Sequence, residues 1–444
     1  MLLWLVAQRK GSGMEKKMWS RREFLAVGAS APYFLTSAAL GGPGVKPASE
    51  RVGMGFIGLG GHGIGRNLRG FLPQPDARIV ALCDCDASHL ARGHQVAAQF
   101  LRGRGRKAEA DAIFTTTDWR RVVERQDVDG VMVSTPDHWH CLISIRAIEA
   151  GKDVICEKPT YDIAQGRALA DAVARYGAVF QTSTEDRSIR IYHRLAEIVR
   201  NRIIGKLVRT VVTLPQAPGG PGDPSPRPVP RGLDWEMWLG PAPWAPYCPG
   251  RVHFNFRYVS DTGAGILADW GAHLVDTAQW ANDTERTGPV EVEGTGQRFT
   301  TGLYDTFYKY DLTYRYANGV VLNIRSGGTG IRFEGTDGWV ESPRWCAPIR
   351  ASSREILNAP IPAGGVRLFL GNGEHRNFLD CVKSRREPYF PAEVGHRCCT
   401  VLHMGTIAMT LGRKLRWDPE REEFIGDAEA NRLCSYALRE PWTI

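Results

Sequence analysis

Short apolar runs alternate with amphipathic segments along the first part of the chain. The apolar runs predict buried strands at residues 52–59, 79–83, 131–135 and 154–156. Residues 119–125 and 142–150 carry apolar side chains at helical spacing. Strands that alternate with helices are typical of a parallel sheet covered on both faces. Residues 51–181 are therefore predicted to form a doubly wound α/β domain.

The pattern changes in the second part of the chain. Residues 308–316 alternate polar and apolar side chains, and an Asn-Gly pair then leads into another apolar run, which predicts an antiparallel hairpin with one buried face. Residues 215–250 contain eleven prolines and are predicted to form a long loop. Residues 182–444 are expected to form an α+β domain with an open antiparallel sheet. Its helices are predicted at residues 189–201, 266–281, 374–383 and 394–411.

Composition limits the class of protein. The 444 residues are 43% hydrophobic and 23% charged, which is ordinary for a globular protein and excludes a disordered chain or a multi-span membrane protein. The net charge is +8, but residues 1–40 hold six Arg or Lys and two Glu, so half of that excess lies in this short segment. The charge therefore gives no reason to expect a nucleic-acid partner.

Residues 1–40 have the features of a signal segment. Arg21-Arg22 precede Phe24-Leu25, and an uncharged stretch that ends in small residues follows. The paired arginines resemble a twin-arginine export signal, which predicts an exported, periplasmic protein. Proline and many small residues make the stretch a poor membrane span, so no stable span is expected. A retained anchor and a basic cytosolic N-terminus are the alternatives.

A glycine-rich turn directly after the first predicted strand indicates a nucleotide site. Gly58-Leu59-Gly60-Gly61-His62-Gly63 fits the G-x-G-x-x-G pattern of Rossmann domains, whose helix N-terminus binds a pyrophosphate. Asp84 lies 21 residues after Gly63, at the end of the second strand, where a carboxylate accepts hydrogen bonds from ribose hydroxyls. Such a carboxylate would repel a 2′-phosphate. The sequence therefore favours NAD as cofactor over NADP.

Three further motifs carry a family resemblance. Residues 153–159 read Asp-Val-Ile-Cys-Glu157-Lys158-Pro159, Ser134-Thr135-Pro136 is followed by His140, and residues 269–273 read Asp269-Trp270-Gly271-Ala272-His273. Together they resemble the glucose–fructose oxidoreductase/inositol dehydrogenase (Gfo/Idh/MocA) family, over nearly all of residues 51–444. The resemblance implies an NAD(P)-dependent oxidoreductase of a sugar, polyol or sugar derivative. It places Thr135, Pro136, His140, Glu157 and Lys158 beside the cofactor, and it implies a cis peptide at Pro159.

Catalytic residues are predicted from position as well as from the resemblance. Lys158 follows a strand at the carboxyl edge of the sheet, where a lysine can donate to a substrate oxygen. Asp269 and His273 are spaced i, i+4 on a helix and share a face, so the carboxylate is expected to orient the imidazole. His273 would then take a hydroxyl proton while hydride leaves for the nicotinamide. The alternatives are a solvated lysine and a core histidine.

The resemblance also suggests substrate and partner contacts. By position relative to the central cleft of the family, Arg187, Arg257 and Tyr258 are expected to face the substrate. Relatives often have amide residues before Arg187, where this chain has Glu185-Asp186. His138 and His140 lie two apart, and a His-x-His pair without carboxylate ligands is weak evidence for a metal, so none is expected.

Two other functions remain open, together with the oligomeric state. Some relatives are NAD-dependent glycosidases, which oxidise a ring carbon transiently, eliminate the aglycone and reduce the ring again. Their motif lacks the Glu-Lys-Pro run that this chain keeps. A non-catalytic sugar- or partner-binding protein with the same fold is the third possibility. The resemblance implies a homodimer or homotetramer that pairs through the second sheet, with the tyrosine-rich residues 308–316 covered either by a second subunit or by the helices of the same chain.

Overall fold

The computed structural model describes Pro47 and residues 50–444. Within this range, Arg51–Ile444 form one compact unit. The predicted signal segment, residues 1–40, lies outside the described residues. None of the described helices is both long enough and apolar enough to cross a bilayer.

The first sheet has six parallel strands in the order β3-β2-β1-β4-β5-β6. This is the strand order of the doubly wound dinucleotide-binding fold, whose ligand crevice lies where the order reverses, here between β1 and β4. The predicted parallel sheet is confirmed. The strands are β1 (Val52–Ile57), β2 (Ala77–Cys83), β3 (Phe114–Thr116), β4 (Gly130–Val133), β5 (Asp153–Glu157) and β6 (Phe180–Ser183).

Helices cover both faces of this sheet, and each face has its own apolar cluster. Asp86 and Asp162 accept backbone N–H groups at the starts of the two longest of these helices, which fixes where those helices begin. A π-helical turn, Gly63–Leu68, follows β1. The α-helices are α1 (Arg69–Phe71), α2 (Ala87–Gly103), α3 (Lys107–Asp111), α4 (Arg120–Val123), α5 (Asp137–Glu149) and α6 (Ile163–Tyr176).

The second sheet has nine strands in the order β13-β12-β11-β7-β10-β9-β8-β14-β15. Its pairs are antiparallel except β7 with β10, which run parallel because β7 enters the middle of the sheet from a distant part of the sequence. The strands are β7 (Leu207–Leu214), β8 (Glu291–Gln297), β9 (Lys309–Arg315), β10 (Val321–Ser326), β11 (Ile331–Gly335), β12 (Trp339–Ser342), β13 (Arg350–Ala351), β14 (Leu415–Asp418) and β15 (Glu423–Phe424).

Two long helices pack against one face of the second sheet. Their bounds are α9 (Gly265–Asn282) and α12 (Ala392–Leu411), and the others are α7 (Arg190–Arg200), α8 (Trp235–Leu239), α10 (Arg354–Asn358), α11 (Glu374–Ser384) and α13 (Ala428–Arg432). The Tyr314 hydroxyl lies against Gly405 of α12, and Tyr316 donates to Gln279 of α9 at 3.1 Å. The helices of the same chain therefore cover the tyrosine-rich face.

The proline-rich segment 215–250 contains one short helix, α8, and otherwise lacks regular structure. It lies against the end of β2: the Ala87 N–H donates to the Gly232 carbonyl at 2.9 Å, and the Asp234 N–H donates to the Cys85 carbonyl at 2.9 Å. Trp235 and Trp238 are buried and stack on each other. Leu233, Met237 and Trp238 of this segment thus form a wall at the edge of the nucleotide crevice, whereas residues 223–232 are exposed. Three-ten turns follow β6 and this segment at Asp186–Ser188, Pro249–Arg251 and His253–Tyr258.

Candidate active site

A cavity of about 560 Å³ lies at the carboxyl ends of the parallel strands, beneath α9 and the proline-rich segment. This volume is typical of sites for small molecules and cofactors. Most of the residues predicted from the sequence line it together. They are Gly58, Gly60, Gly61, His62, Gly63, Asp84, Thr135, Pro136, His140, Glu157, Lys158, Arg257, Asp269 and His273.

The glycine turn has the shape that a pyrophosphate requires. Gly58 has a φ of +93°, and a Cβ there would meet the backbone of Ser134. A Cβ at Gly63 would clash with the carbonyl oxygen of Gly58, so this glycine permits the close approach of helix and strand. Gly60 and Gly61 face open space instead. The backbone is therefore free to approach a phosphate at these two positions.

Asp84 is held at the ribose end of the cavity by backbone hydrogen bonds. Its Oδ2 accepts the Leu59 N–H at 2.6 Å, and its Oδ1 accepts the Asp86 N–H at 2.8 Å. Leu59 was expected beside the cofactor, but its side chain is wholly buried in the apolar core and its N–H serves Asp84. Leu59 therefore positions the carboxylate and does not line the cavity.

Glu157 and His62 form a charged pair next to the glycine turn. Glu157 accepts a hydrogen bond from Asn67 at 2.8 Å and lies 3.2 Å from His62 Nε2. Burial alone would raise the pKa of Glu157, but the hydrogen bond and charge of His62 lower this pKa to about 2. The same hydrogen bond raises the pKa of His62. The pair thus places an ionised carboxylate in the cavity wall beside the glycine turn.

His140 and His138 are fixed by backbone carbonyls. His140 lies 2.8 Å from both the Thr135 and the Pro159 oxygens, at the cis Lys158–Pro159 peptide. His138 lies 3.0 Å from the Thr262 oxygen and 3.1 Å from the Trp238 oxygen, and burial lowers its pKa to about 4. All four ring nitrogens face carbonyl oxygens. This His-x-His pair therefore does not have free nitrogens for a metal.

Lys158 is held by Asp269 at the floor of the cavity. Its Nζ donates to Asp269 Oδ1 at 2.8 Å and to the Asp269 carbonyl at 2.6 Å. Arg257 Nε lies 3.2 Å from Asp269 Oδ2. Although burial opposes ionisation, the charges of Lys158 and Arg257 hold the pKa of Asp269 well below its ordinary value. Asp269 is therefore an ionised anchor for two cations.

His273 has a different carboxylate partner from the one expected. Its Nδ1 lies 2.7 Å from Oδ2 of Asp186, which is wholly buried in the three-ten turn after β6. Asp269 lies on the same face of α9 but is occupied by Lys158 and Arg257. Asp186, rather than Asp269, thus orients the imidazole. Burial raises the pKa of Asp186 in spite of the nearby histidine.

Arg187 and Tyr258, which were expected to face the substrate, do not line the cavity. Arg187 is buried and forms a two-pronged ion pair with Asp276, at 2.7 and 2.8 Å. Tyr258 is buried against Tyr304 in the core of the second sheet. Asp276 lies on α9, far from Arg187 in sequence, so this ion pair could not be predicted from local spacing. Only Arg257 of the three expected substrate residues lines the cavity.

The structure adds cavity residues that sequence reasoning missed. Arg66 reaches in from the π-helical turn and pairs with Glu185 at 3.0 Å and with Glu374 at 2.8 Å. Trp270 and Trp345 line the wall beside His273. A signal for Asp186 and Glu185 existed in the sequence, because two acids stand where relatives often have amides. Trp345 comes from the connection after β12 and had no sequence signal.

Two groups of side chains have ligand atoms within 4.8 Å of one another, as a metal site would require. They are Asp86 with His89 and His253, and Glu185 with Asp186 and His273. In the second group, His273 Nδ1 is hydrogen-bonded to Asp186 and Glu185 is paired with Arg66. In the first group, Asp86 already caps α2. In each group, at least one of the ligand residues is therefore already bound to another part of the chain.

Family models match most of the chain. Residues 52–184 match the NAD-binding Rossmann fold of the GFO_IDH_MocA oxidoreductase family, and residues 219–444 match the C-terminal alpha/beta domain of the same family. The chain therefore belongs to the Gfo/Idh/MocA oxidoreductase family. The nicotinamide-binding character of its first domain follows from that membership and from the glycine turn.

Curated relatives are similar over shorter stretches. A glycosyl hydrolase family 109 protein of Stenotrophomonas maltophilia (strain K279a) is 30% identical over 137 residues, 31% of this chain and 29% of the relative. A levoglucosan dehydrogenase of Pseudarthrobacter phenanthrenivorans is 27% identical over 167 residues, 37% of this chain and 36% of the relative. The chain thus aligns with only about a third of the length of these relatives.

Solved structures share the whole fold at low identity. The aldose-aldose oxidoreductase of Caulobacter crescentus, complexed with glycerol, has a TM-score of 0.58 at 19% identity and covers 82% of this chain and 99% of its own. The WlbA dehydrogenase of Bordetella pertussis, in complex with NADH and UDP-GlcNAcA, has a TM-score of 0.61 at 14% identity and covers 83% and 99%. Both establish the two-sheet architecture.

Proposed function

We propose that the chain is an NAD-dependent oxidoreductase that transfers hydride between the nicotinamide and a carbon bearing a hydroxyl group in a sugar, polyol or sugar derivative. The observation that carries this proposal is the single cavity that joins the glycine turn to Lys158 and His273. The bound nicotinamide supplies the hydride acceptor. The other groups that the reaction needs are the side chains of Lys158, Asp186, Asp269 and His273.

Side chains around the cavity take part in removing a proton from a substrate hydroxyl, each with a different role. His273 donates a hydrogen bond from its Nδ1–H to Asp186, so that its Nε2 presents a lone pair to the cavity. The buried carboxylate stabilises the imidazolium that forms when Nε2 takes the hydroxyl proton. Lys158, held by Asp269, donates a hydrogen bond to the oxygen as negative charge develops there. Carbonyl reduction reverses these steps.

Asp84 supports NAD over NADP as the cofactor. Its carboxylate is fixed by the Leu59 and Asp86 N–H groups and lines the cavity at the ribose end. The two carboxylate oxygens can accept hydrogen bonds from the ribose hydroxyls, whereas the 2′-phosphate of NADP would be repelled by their negative charge. We expect NAD to bind at least about tenfold more tightly than NADP, a difference of about 1.4 kcal/mol. Isothermal calorimetry with both nucleotides tests this.

The proposed reaction is tested by NADH formation on a panel of pyranosides and polyols. Lys158→Met is expected to reduce turnover by about a hundredfold or more while it preserves NAD binding, because the change removes the donor to the reacting oxygen. Lys309→Met is a matched control, since Lys309 is an exposed lysine on the second sheet. Tight NAD binding without NADH formation on every panel member would overturn net oxidation.

Redox-neutral cleavage of glycosides is the second candidate. It is favoured by the similarity to glycosyl hydrolase family 109 proteins, which is 30% over 137 residues for one of them. The retained Glu157-Lys158-Pro159 run favours the dehydrogenase. Release of nitrophenol from a nitrophenyl glycoside, dependent on NAD but without accumulation of NADH, would select the cleavage reaction. NADH accumulation without nitrophenol would select the dehydrogenase.

We also propose export through the twin-arginine route, on the strength of Arg21-Arg22 alone. Changing both arginines to lysine is expected to move the protein from the periplasmic to the cytoplasmic fraction.

A homodimer or homotetramer is proposed from family membership. Light scattering tests the oligomeric state, and a monomer at micromolar concentration would contradict it.

A further inference from the structure

The substrate end of the cavity has an aromatic wall that the proposed chemistry does not use. Trp345 and Trp270 line the same cavity as Lys158 and His273. The Trp345 ring lies 5.0 Å from the His273 ring and 5.5 Å from the Trp270 ring, both in edge-to-face arrangements. A substrate hydroxyl that reaches His273 must therefore lie close to the Trp345 indole.

Trp345 is held firmly in this position. Its ring lies 5.4 Å from Tyr192, which is wholly buried, and its backbone N–H donates to Thr329 Oγ1 at 3.1 Å. The next N–H, of Cys346, donates to the Tyr192 hydroxyl at 3.0 Å. The indole itself is only partly buried. A ring that is oriented by its neighbours loses little side-chain entropy when a ligand covers the part that lines the cavity.

A half-buried indole that lines the cavity beside a proton acceptor suits a closed sugar ring. The face of an aromatic ring is electron-rich and attracts the polarised C–H groups that a pyranose presents on its apolar side. Stacking also buries apolar area on both partners. An acyclic polyol presents no such flat C–H surface and must lose torsional freedom to imitate one.

The charges around this wall favour a neutral substrate. Lys158 and Arg257 both face Asp269, and Arg66 faces Glu185 and Glu374. Each of these three cations therefore already contacts a carboxylate, and Lys158 and Arg257 share that of Asp269. A sugar acid would compete with those carboxylates and would lie near the buried Asp186.

We infer that Trp345 is the stacking platform for a neutral pyranose ring, and that Trp270 forms the adjoining edge of this sugar subsite. The inference rests on the proposed function, since it places the ring against His273. It narrows the substrate class to ring-closed, uncharged sugars and glycosides. The platform fixes which face of the ring meets the indole, and thereby which ring hydroxyl reaches Nε2 of His273.

The test compares Trp345→Leu with Trp345→Phe on three probes: a methyl hexopyranoside, the matching hexitol and the matching hexuronic acid. We expect Trp345→Leu to raise KM for the pyranoside about tenfold, with a smaller change in kcat, because truncating a buried aromatic contact removes binding energy. Trp345→Phe is expected to recover most of this loss. The hexitol and the hexuronic acid are expected to be poor substrates of every variant. Trp244→Leu is the control, since Trp244 is an exposed tryptophan outside the cavity.

Three results would overturn the inference. They are an unchanged pyranoside KM in Trp345→Leu, a hexitol or hexuronic acid that the wild-type chain prefers, and a Trp345→Leu loss that Trp345→Phe does not recover while NAD binding stays intact. If the wild-type chain turns over no sugar, the proposed function fails instead. In that case, calorimetry measures how tightly the pyranoside binds to the chain with NADH bound. Trp345→Leu must still weaken this binding if Trp345 is the stacking platform.

Discussion

At the scale of single residues, the site depends on which carboxylate each cation or base meets. Asp269 and Asp186 are both buried, yet they serve different partners, Lys158 and His273. The spacing of Asp269 and His273 placed them on one helix face, which is correct, but it could not show that a second carboxylate approaches the imidazole from another element. The division of roles follows from contacts distant in sequence.

Asp186→Asn tests this division. The change keeps the size of the side chain but removes the charge that stabilises the imidazolium, so turnover is expected to fall by roughly a hundredfold. Steady-state kinetics measures this loss.

The control for this experiment is Asp311→Asn, which changes an exposed aspartate of β9 and is expected to leave kinetics unchanged. Thermal unfolding and NAD binding show whether Asp186→Asn still folds. A variant that binds NAD and turns over at the wild-type rate would show that Asp186 does not orient the catalytic imidazole.

At the scale of elements, the nucleotide site depends on how closely the π-helical turn approaches β1. Gly63 and Gly65 lie in the same turn, but only Gly63 faces the Gly58 carbonyl. This part of the site was predictable from sequence, because the glycine pattern, the strand before it and Asp84 are local features. The wall from residues 215–250 was not, because proline-rich segments have no periodicity from which to infer packing.

Gly63→Ala is expected to weaken NAD binding by about tenfold or more and to destabilise the fold by roughly 1–3 kcal/mol, because a Cβ overlaps the Gly58 oxygen. Gly65→Ala is the matched control: its Cβ would point into open space on the exposed side of the turn. NAD titration and denaturant unfolding of both variants measure the difference. Equal behaviour of the two alanine variants would contradict the close-approach role of Gly63.

The Arg187–Asp276 pair joins the turn after β6 to α9, directly beneath His273. Arg187→Met leaves the wholly buried Asp276 without its partner and is expected to cost about 3–5 kcal/mol of unfolding free energy. The double change Arg187→Met with Asp276→Leu is expected to recover much of this loss. Urea unfolding measures the stability of both variants. Wild-type stability together with a raised substrate KM in Arg187→Met would instead restore Arg187 as a substrate contact.

At the scale of the whole molecule, periodicity and motifs predicted both sheets and the four longest helices of the second domain, because each is dictated by local apolar patterns, but not α2 and α6 of the first domain. The parallel β7–β10 pair, the position of Trp345 and the long-range ion pairs depend on where distant segments meet. The alternation in residues 308–316 showed that one face is buried but not that α9 and α12 cover it. The sequence therefore predicts the elements well and their mutual contacts poorly.

Acid stability is a property of the whole chain because several long-range pairs contribute. Hydrogen bonds from Arg376 and Lys383 outweigh burial and lower the pKa of Asp76 to about 2. His396 and Arg167 do the same for Glu422, whose pKa also falls to about 2. Since the unfolded state binds protons at higher pH, this stability is present above about pH 4.5 and is lost as pH falls toward 2.

Asp76 and Glu422 are each expected to contribute up to about 2 kcal/mol to the free energy of unfolding at neutral pH. Glu374 acts in the opposite sense, because burial raises its pKa to about 7, so its protonation stabilises the fold as pH falls from 7 toward 4.5. Thermal unfolding across pH is expected to show maximum stability near about pH 5 and a steep loss below about pH 4. Asp76→Asn should flatten the acid limb, and an unaltered limb would contradict this assignment.

The most direct test of the central claim is stopped-flow absorbance of reduced nicotinamide, with the chain saturated with NAD and mixed with a pyranoside. This signal detects hydride transfer in both net oxidation and redox-neutral cleavage. We expect a rapid rise in the wild-type chain and at least a hundredfold slower rise in Lys158→Met and His273→Gln, which should still bind NAD. Equal rises in all three chains, or no rise with any pyranoside in an NAD-saturated wild-type chain, would contradict the proposal that these two side chains act on a sugar hydroxyl.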